Sequence, residues 1–520
     1  MQGVVDGRRN LIVGATIASG AWAFGSMATA ASITVNTLNG TTANDGVCSL
    51  LEAAANANTD SQVWVDCAAG AGTDTIFLNG LSGTIVLSGQ VALTTNAFIQ
   101  GPGAAQLAIS GNNASRVFYV HNAAVSISGV TITGGATGGA GGGGVFSNGG
   151  TLTISNSRIT GNASGSARGG GIGANGGSVT ITSSTISGNT GSRGGGVSLF
   201  NAAGSIDLTE ISGNTASTRG GGVFLYNINS GTVSVTRSVV SGNTSNGRGG
   251  GLALYRVNVP TLIQDTTVSG NIANNRGGGL FLYKNAGAVT FDRVTVRGNE
   301  ARTASGAGGG VYLYKTNSAV VFQNSTISGN SAATNGGGLA FRGPDTGNVT
   351  IGNTTIAGNT AGGAGGNING GGSPLAVAVR NSIVADGTAG GVGPDISTGS
   401  LSLSVNYSLV ENTSGATFTG ANNLTGVDPQ LGVFANNGGL TQTRMPSAAG
   451  PSVNAGDPAF AAPPSVDQTG NPRVANGRID MGAVEIQAPL PVPTLGEWAM
   501  MMLTALLGLA GLSTLRRRAR

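Results

Sequence analysis

The 520-residue sequence has little charge and very little histidine or cysteine. It contains one histidine, two cysteines, 15 prolines and 9% charged residues, whereas an average protein has roughly 25% charged residues. Two cysteines exclude a cysteine-rich zinc site, and one histidine disfavours a Ser-His-Asp triad. The low proline content and the lack of a Gly-X-Y triplet exclude collagen.

Glycine, in contrast, accounts for 94 residues. Hydrophobic residues make up 39% of the chain and the mean hydropathy is +0.14, which argues against a disordered protein. With 5% aromatic residues and few leucine-rich stretches in its middle, the chain is not a helical bundle. A β structure rich in Gly, Ser, Thr, Asn and Val remains.

The net charge of +4 comes from the two ends of the chain. Six arginines lie there, at positions 8, 9, 516, 517, 518 and 520, with Asp6 and Glu497 as the only acids. Without these end residues, 19 basic and 19 acidic residues remain from totals of 25 and 21. Because the body is neutral, we predict no nucleic-acid partner, which would need basic residues concentrated on the folded body.

The first thirty residues have the pattern of a signal peptide. Arg8 and Arg9 precede an apolar stretch from Leu11 to Phe24, and the small residues Ala28 and Ala30 follow. We therefore predict a signal peptide over residues 1–30, cleaved after Ala30. An N-terminal membrane anchor is the alternative.

The other end has a short apolar segment, residues 499–515, followed by four arginines among the last five residues. Such a segment just spans a bilayer as a helix, so it is either a tail anchor or part of a sorting signal. The preceding residues Pro493, Thr494, Leu495, Glu497 and Trp498 resemble the IPTL-type C-terminal sorting signal. That resemblance implies a partner, an exosortase-like membrane transpeptidase of Gram-negative bacteria, which would remove residues 488–520.

The middle of the chain is a repeat. A Gly-Asn pair recurs every 25 to 31 residues, and a glycine triplet recurs in phase with it. The asparagines are Asn162, Asn189, Asn214, Asn243, Asn271, Asn299, Asn330 and Asn359. Each repeat contains three short runs with alternating apolar residues, which is the period of a strand with one buried face.

Three short strands per repeat, with no helical period between them, exclude βαβ units. We predict an all-β fold, a right-handed single-stranded parallel β-helix over residues 74–410, in which each strand pairs with its equivalent one coil later. The asparagines would then stack at a turn and hydrogen-bond along the axis. Calcium-binding nonapeptide solenoids are the rival, but their repeated Gly-Gly-x-Gly-x-Asp is absent.

The flanks are predicted to cap the open ends of the coil, at residues 31–73 and 411–487. Because export leads to an oxidising compartment, Cys48 and Cys67 form either a disulfide or two buried free thiols. Residues 46–54 resemble the CSLREA-type N-terminal region of bacterial surface proteins, with Leu51 in place of the motif's arginine. Residues 427–431, 436–443, 452–457, 471–473 and 477–485 resemble the choice-of-anchor Q proteins, which implies a β-helix body with an interchangeable C-terminal anchor.

Two repeated side chains are candidates for ligand binding. An arginine precedes five glycine triplets, at Arg168, Arg193, Arg219, Arg248 and Arg276, and an aromatic residue follows on the next strand, at Phe200, Tyr226, Tyr255, Tyr283 and Tyr314. Phe224, Phe281 and Tyr312 are expected to face outward on the same strands. Stacked arginines repel each other, so they either bind an acidic or neutral polysaccharide together with the rings or simply stack on those rings.

No catalytic residue, metal ligand or cofactor site is predicted. His121 has no acid near it in sequence, and Asp207 and Glu210 are expected on opposite faces of one strand, which does not suit the paired carboxyl groups of glycoside hydrolysis. The sequence therefore predicts an exported, envelope-sorted surface protein that is structural or adhesive and contacts glycans. The alternatives are a polysaccharide lyase or hydrolase on the same fold, and a passive fibre component.

Overall fold

The computed structural model describes residues 30–139, 141–343, 347–372, 374–487 and 500–509. The predicted signal peptide up to Thr29 and the sorting residues 491–498 lie outside the described residues. Within them, the chain winds into a parallel β-helix, which confirms the predicted fold class. Each full coil visits three long stacks of parallel strands, which we name sheets A, B and C.

The strands of sheet A, in stacking order, are Ser32–Thr34, Asp74–Phe77, Ala97–Gln100, Ala124–Ser128, Thr151–Ser155, Ser178–Thr182, Ala203–Asp207, Val233–Thr236, Thr261–Gln264, Val289–Asp292, Val320–Gln323, Asn348–Gly352, Leu375–Arg380 and Leu401–Asn406. The strands of sheet B are Asn39–Gly40, Gly83–Leu87, Leu107–Ser110, Thr131–Thr133, Arg158–Thr160, Thr185–Ser187, Glu210–Ser212, Val239–Ser241, Thr267–Ser269, Thr295–Arg297, Thr326–Ser328, Thr355–Ala357, Ile383–Ala385, Leu409–Val410 and Leu424–Thr425.

The strands of sheet C are Val91–Leu93, Phe118–His121, Val145–Asn148, Ile172–Asn175, Val197–Phe200, Val223–Ile228, Leu252–Val257, Leu280–Tyr283, Val311–Tyr314, Leu339–Arg342, Ile368–Gly371 and Ile396–Ser397. A shorter sheet D, which the sequence pattern did not reveal, lies between B and C. Its strands are Thr190–Arg193, Thr215–Arg219, Thr244–Ser245, Ile272–Ala273, Glu300–Ala301, Ser331–Ala332, Thr360–Ala361 and Thr388–Ala389.

The core is one continuous apolar column enclosed by the sheets. Strands pair in register with like residues, so that Leu225 lies beside Leu254 and Leu254 beside Leu282. Phe291 and Phe322 stack with ring centroids 4.5 Å apart. Apolar burial along this column is the main stabilising term of the fold.

The glycine triplets are required by the close approach of successive coils. Gly249 has φ +66°, a conformation that costs glycine little. A Cβ on Gly250 would lie 2.3 Å from the carbonyl oxygen of Gly278, and one on Gly251 would lie 2.8 Å from that of Gly279. Neither position has room for a side chain.

The N-terminal end is closed by helix α1, Leu50–Thr59. Its capping box joins Ser49 and Glu52, and its apolar face packs into the core column. The side chain of Asn58 donates to the carbonyl of Ala92 and accepts from the N–H of Thr94, both at 2.8 Å. The helix therefore satisfies backbone groups at the first strand of sheet C and covers an edge that would otherwise be open.

The C-terminal flank has two parts. Residues 412–426 make a last partial coil, whose Ala416 and Phe418 pack on the end of the core. Residues 427–487, which we name the strap, then turn back along the outer face of sheet B and include an antiparallel hairpin of Leu431–Ala435 and Thr443–Pro446. The predicted C-terminal cap thus closes the end with its first residues only, because the outer face of sheet B carries threonines and apolar side chains that the rest can cover.

The strap packs against the outer face of sheet B through buried polar and apolar contacts. Gln468, 1% exposed, accepts from the hydroxyl of Thr326 at 2.6 Å and donates to that of Thr295 at 3.0 Å. Met481 packs with Ile383 and Leu409. The strap therefore covers several coils of sheet B from the side.

Candidate functional site

The repeated asparagines form a hydrogen-bonded column at the corner between sheets B and D, which we name the asparagine spine. From Asn189 onward, each side-chain oxygen accepts from the backbone N–H and the Nδ2 of the asparagine one coil before; Asn243 donates to Asn271 in this way at 3.0 and 2.9 Å. The oxygen of the first asparagine, Asn162, accepts from the N–H of Gly135. The Nδ2 of Asn243 also donates to the carbonyl of Ile211 at 2.9 Å. All eight asparagines named above are buried. Their hydrogen-bonding groups are thus used within the fold.

The spine ends on a carboxyl group. Position 387, where the repeat would place the next asparagine, is glycine. In its place Asn367, at the third position of a glycine triplet, accepts from the side chain of Asn359 at 2.8 Å. Asn367 in turn donates to Asp395 at 2.7 Å, and Asp395 also accepts from the N–H groups of Gly387 and Asn412. Burial raises the pKa of Asp395 to about 6.

A second internal ladder uses hydroxyl groups at the corner between sheets A and B. The N–H of Ser238 donates to the hydroxyl of Thr266 at 3.3 Å, and that of Thr209 to Ser238 at 3.1 Å. The residue before each is in the left-handed region, as at Arg237 with φ +47°. This ladder was not predicted from the sequence, although serine or threonine recurs at the start of most sheet B segments, with Val294 as an exception.

The five predicted arginines lie in one column beside sheet C, each paired with the next in parallel register. Four of them stack on rings of the following coil. The guanidinium carbon lies 4.5 Å from the ring centroid of Phe200 for Arg168, 4.8 Å from Tyr255 for Arg219, 5.4 Å from Phe281 for Arg248 and 5.3 Å from Tyr312 for Arg276. No ion pair among the described residues involves these five arginines.

Outward side chains of sheet C form two further columns. Column 1 is the second position of each strand and contains Phe146, Gly173, Ser198, Phe224, Ala253, Phe281, Tyr312, Ala340 and Asn369. Column 2 is the fourth position and contains Asn148, Asn175, Phe200, Tyr226, Tyr255, Tyr283, Tyr314, Arg342 and Gly371. The middle of both columns is a block of rings packed 5.1 to 5.6 Å apart.

The block is more closed than the sequence suggested. Phe224, Phe281 and Tyr312 face outward as expected but are at most 1% exposed, because the arginines and column 2 cover them. Tyr255, predicted to contact a ligand, is 3% exposed and packs between Phe224 and Phe281. Its ring therefore offers no free face. Tyr226, Tyr283 and Tyr314 are half-buried at the surface of the block.

Two clefts open where column 1 has small side chains. The N-terminal cleft, about 450 Å³, lies beside Gly173 and Ser198 and is lined by Phe146, Arg168, Arg193 and Phe200. The C-terminal cleft, about 470 Å³, lies beside Ala340 and Asn369 and is lined by Arg276, Tyr312 and Arg342. Burial lowers the pKa of the Arg168 guanidinium, and the charge of Arg193 lowers it further.

The acids and the histidine that sequence analysis weighed lie elsewhere. Asp207 ends a strand of sheet A and Glu210 begins one of sheet B, so they do not share a strand as expected, because Leu208 turns the chain at φ +49°. Asp207 is ion-paired with Arg237. His121 stacks on Tyr119 at 6.0 Å and contacts Asn148.

One hollow gathers acids that sequence analysis did not single out. It has a volume of about 690 Å³ and is lined by Asp386, Asp395, Glu411 and Asp428. Asp386 is paired with Arg444 at 2.6 Å, and Glu411 accepts from the N–H of Asp386 at 2.7 Å. In the described part of the chain, no three His, Cys, Asp or Glu residues are placed to hold a metal ion.

At the ends, Cys48 and Cys67 are joined by a disulfide with their Cα atoms 4.8 Å apart. Residues 500–509 are helical. Among the described residues, we find no helix with the length and hydropathy needed to cross a bilayer.

The fold and its repeated ladders define a right-handed parallel β-helix protein with a C-terminal sorting motif. Residues 167–327 match the family described as the right handed beta helix region, and residues 491–518 match the IPTL-CTERM motif. The motif implies processing by a sorting enzyme and indicates an exported, cell-surface protein.

The chain is distantly similar to two solved structures. The chain is 17% identical to the mannuronan C-5 epimerase AlgE4 A-module of Azotobacter vinelandii, over 74% of this chain and 99% of that one, with a TM-score of 0.39. It is 13% identical to pectate lyase Pel9A, over 88% of this chain and 97% of that one, with a TM-score of 0.37. No curated protein matches the chain.

Proposed function

We propose that this protein is a structural or adhesive protein of the Gram-negative cell envelope that contacts glycans through the outer face of sheet C. In this proposal residues 1–30 direct export, residues 31–73 and 411–487 protect the β-helix of residues 74–410, and residues 488–520 are the sorting signal. An exosortase-like enzyme is its processing partner. No cofactor is needed for this role.

The single observation that supports glycan contact is a column of five arginines, none in an ion pair among the described residues, beside half-buried rings. Stacked guanidinium groups about 4.8 Å apart repel by roughly 0.9 kcal/mol per neighbouring pair in water. An acidic polysaccharide would offset this repulsion, since guanidinium groups bind carboxylates through two parallel hydrogen bonds.

Retention on glycan affinity gels tests this contact. We expect the double variant Arg168→Gln with Tyr226→Ala to be retained more weakly than the wild type, because Arg168 lies 5.6 Å from the Tyr226 ring at the open edge of the block. Arg237→Gln, at the corner between sheets A and B, is the matched control. Equal retention of all three proteins on every gel would exclude glycan contact by this face.

Cell fractionation tests the proposed cellular location. We expect the full-length protein in the envelope or at the surface, and a chain ending at residue 490 outside that fraction. The same location for both chains would refute sorting by residues 491–520.

The acidic hollow is the one feature that favours a polysaccharide-cleaving enzyme, since glycoside hydrolysis uses paired carboxyl groups. However, Asp395 already accepts three structural hydrogen bonds there. We therefore expect no cleavage of acidic or neutral glycans by the purified protein. Cleavage that Asp395→Asn abolishes would replace the adhesive function by the enzymatic one.

A further inference from the structure

The N-terminal cleft differs from the rest of the arginine column in its side chains. Column 1 changes from Phe146 to Gly173 and Ser198, then back to Phe224. A Cβ on Gly173 would lie 2.7 Å from the backbone nitrogen of Gly142, so a larger residue does not fit there. Column 1 therefore lacks a ring in two successive coils, and the cleft lies beside these positions.

Arg193, which lines this cleft, is the exception among the five arginines. The other four each lie over an aromatic ring, whereas none of the rings described in the structure lies beneath Arg193. It forms no ion pair with a described residue, and its buried Nε has no hydrogen-bond partner among them. Ring stacking thus accounts for four arginines and leaves the fifth unexplained.

The other polar groups of the cleft suit an anion. Arg168 contributes a second guanidinium, and no aspartate or glutamate is among the lining residues. Ser198 is 1% exposed, and its hydroxyl has no partner among the described residues. An unpaired buried donor is destabilising, so a ligand oxygen that accepts from these groups gains binding energy. Phe146 and Phe200 supply apolar walls.

We propose that the N-terminal cleft binds a carboxylate-bearing sugar unit of an acidic polysaccharide, with Arg168 and Arg193 holding the carboxylate. This inference rests on the proposed glycan contact and locates it at the cleft. The sugar ring lies between the two phenylalanine walls. Both planar guanidinium groups present only hydrogen-bond donors, so the pair favours a carboxylate over a neutral sugar.

The test is binding of the purified protein to polygalacturonate, dextran sulfate and neutral dextran at 150 mM salt, about physiological ionic strength. We expect wild type to bind polygalacturonate most tightly. Ser198→Phe should weaken that binding at least about tenfold, because the new ring fills the cleft as Phe224 fills the next coil. Arg193→Gln should weaken it by a similar factor and leave the cleft open.

Ala340→Phe is the matched control, since it places the same ring in column 1 at the C-terminal cleft, where Arg276 already stacks on Tyr312. It should weaken polygalacturonate binding less than Ser198→Phe does. Thermal melting shows whether Ser198→Phe folds, and Arg193→Gln keeps the test decisive if it does not. The cleft assignment is overturned if neither variant weakens the binding seen with wild type, or if Ala340→Phe weakens it equally. Equal binding of dextran sulfate overturns the proposal that the cleft selects a carboxylate. No binding of wild type to any of the three glycans refutes the proposed glycan contact itself.

Discussion

The asparagine spine and the arginine column are both one residue per coil repeated along the same solenoid, yet they behave oppositely. An asparagine amide donates and accepts, so each one satisfies its neighbour; Asn271 accepts from Asn243 and donates to Asn299. An arginine only donates, and its neighbour carries the same charge. The spine is therefore complete within the chain, whereas the arginine column relies on rings or on a ligand.

The largest effect is expected from removing one amide of the spine. Asn243→Ala removes the acceptor that serves both the N–H and the Nδ2 of Asn214, and it removes the Nδ2 donor to the carbonyl of Ile211, all in a buried column. We expect the free energy of unfolding, measured with urea, to fall by about 3 to 5 kcal/mol. A loss below about 1 kcal/mol would show that water or a shift of the coils replaces the amide.

The end of the asparagine spine provides a second comparison with the uncharged spine, because there a carboxyl group takes the place of an amide. Since burial raises the pKa of Asp395 from 3.8 to about 6, the folded state binds this proton more tightly than the unfolded chain. Stability from this group is therefore complete below about pH 4 and is lost as the pH rises to about 6, by up to about 3 kcal/mol.

Thermal melting between pH 3.5 and 7 measures this loss. Asp395→Asn should remove that part of the pH dependence, whereas Glu210→Gln, at an exposed position on sheet B, should keep it. Parallel curves for wild type and Asp395→Asn would contradict the raised pKa.

A smaller loss of stability is expected from adding a methyl group in contact with the asparagine spine. A Cβ on Gly251 would lie 2.8 Å from the Gly279 carbonyl oxygen and 3.1 Å from the amide carbon of Asn271. We expect Gly251→Ala to reduce the free energy of unfolding by about 2 kcal/mol. Gly352→Ala is the control, since no atom lies within 4 Å of its Cβ position, and it should unfold like wild type.

The smallest effect is expected in the arginine column. Arg219→Gln loses a cation–π contact worth about 0.5 to 2 kcal/mol but also removes repulsion from both neighbours. We expect the free energy of unfolding to change by less than about 1 kcal/mol. A loss as large as that of Asn243→Ala would mean that the column is a structural ladder like the spine.

Repeat spacing was enough to predict the coil, because in-register stacking makes each residue type recur at one place in the fold. The spine asparagines and the arginine register follow from that spacing. The burial of individual rings within the block does not follow from the spacing. Tyr255 and Tyr226 occupy equivalent positions and differ only in what lies beside them, since Phe281 lies against Tyr255. The clefts and the acidic hollow arise where the repeat changes, and a pattern defined by regularity does not show them. The positions are Gly173 and Ser198 for the N-terminal cleft, Ala340 and Asn369 for the C-terminal cleft, and Gly387 for the hollow.

The strap determines where the chain leaves the solenoid toward its C-terminal end. Ala483 donates to the hydroxyl of Thr355, and Gly482 to the carbonyl of Asn381, so the chain leaves the solenoid on its flank, some coils before the tip. A sorting signal at residues 488–520 would therefore begin beside sheet B and not at the end of the coil.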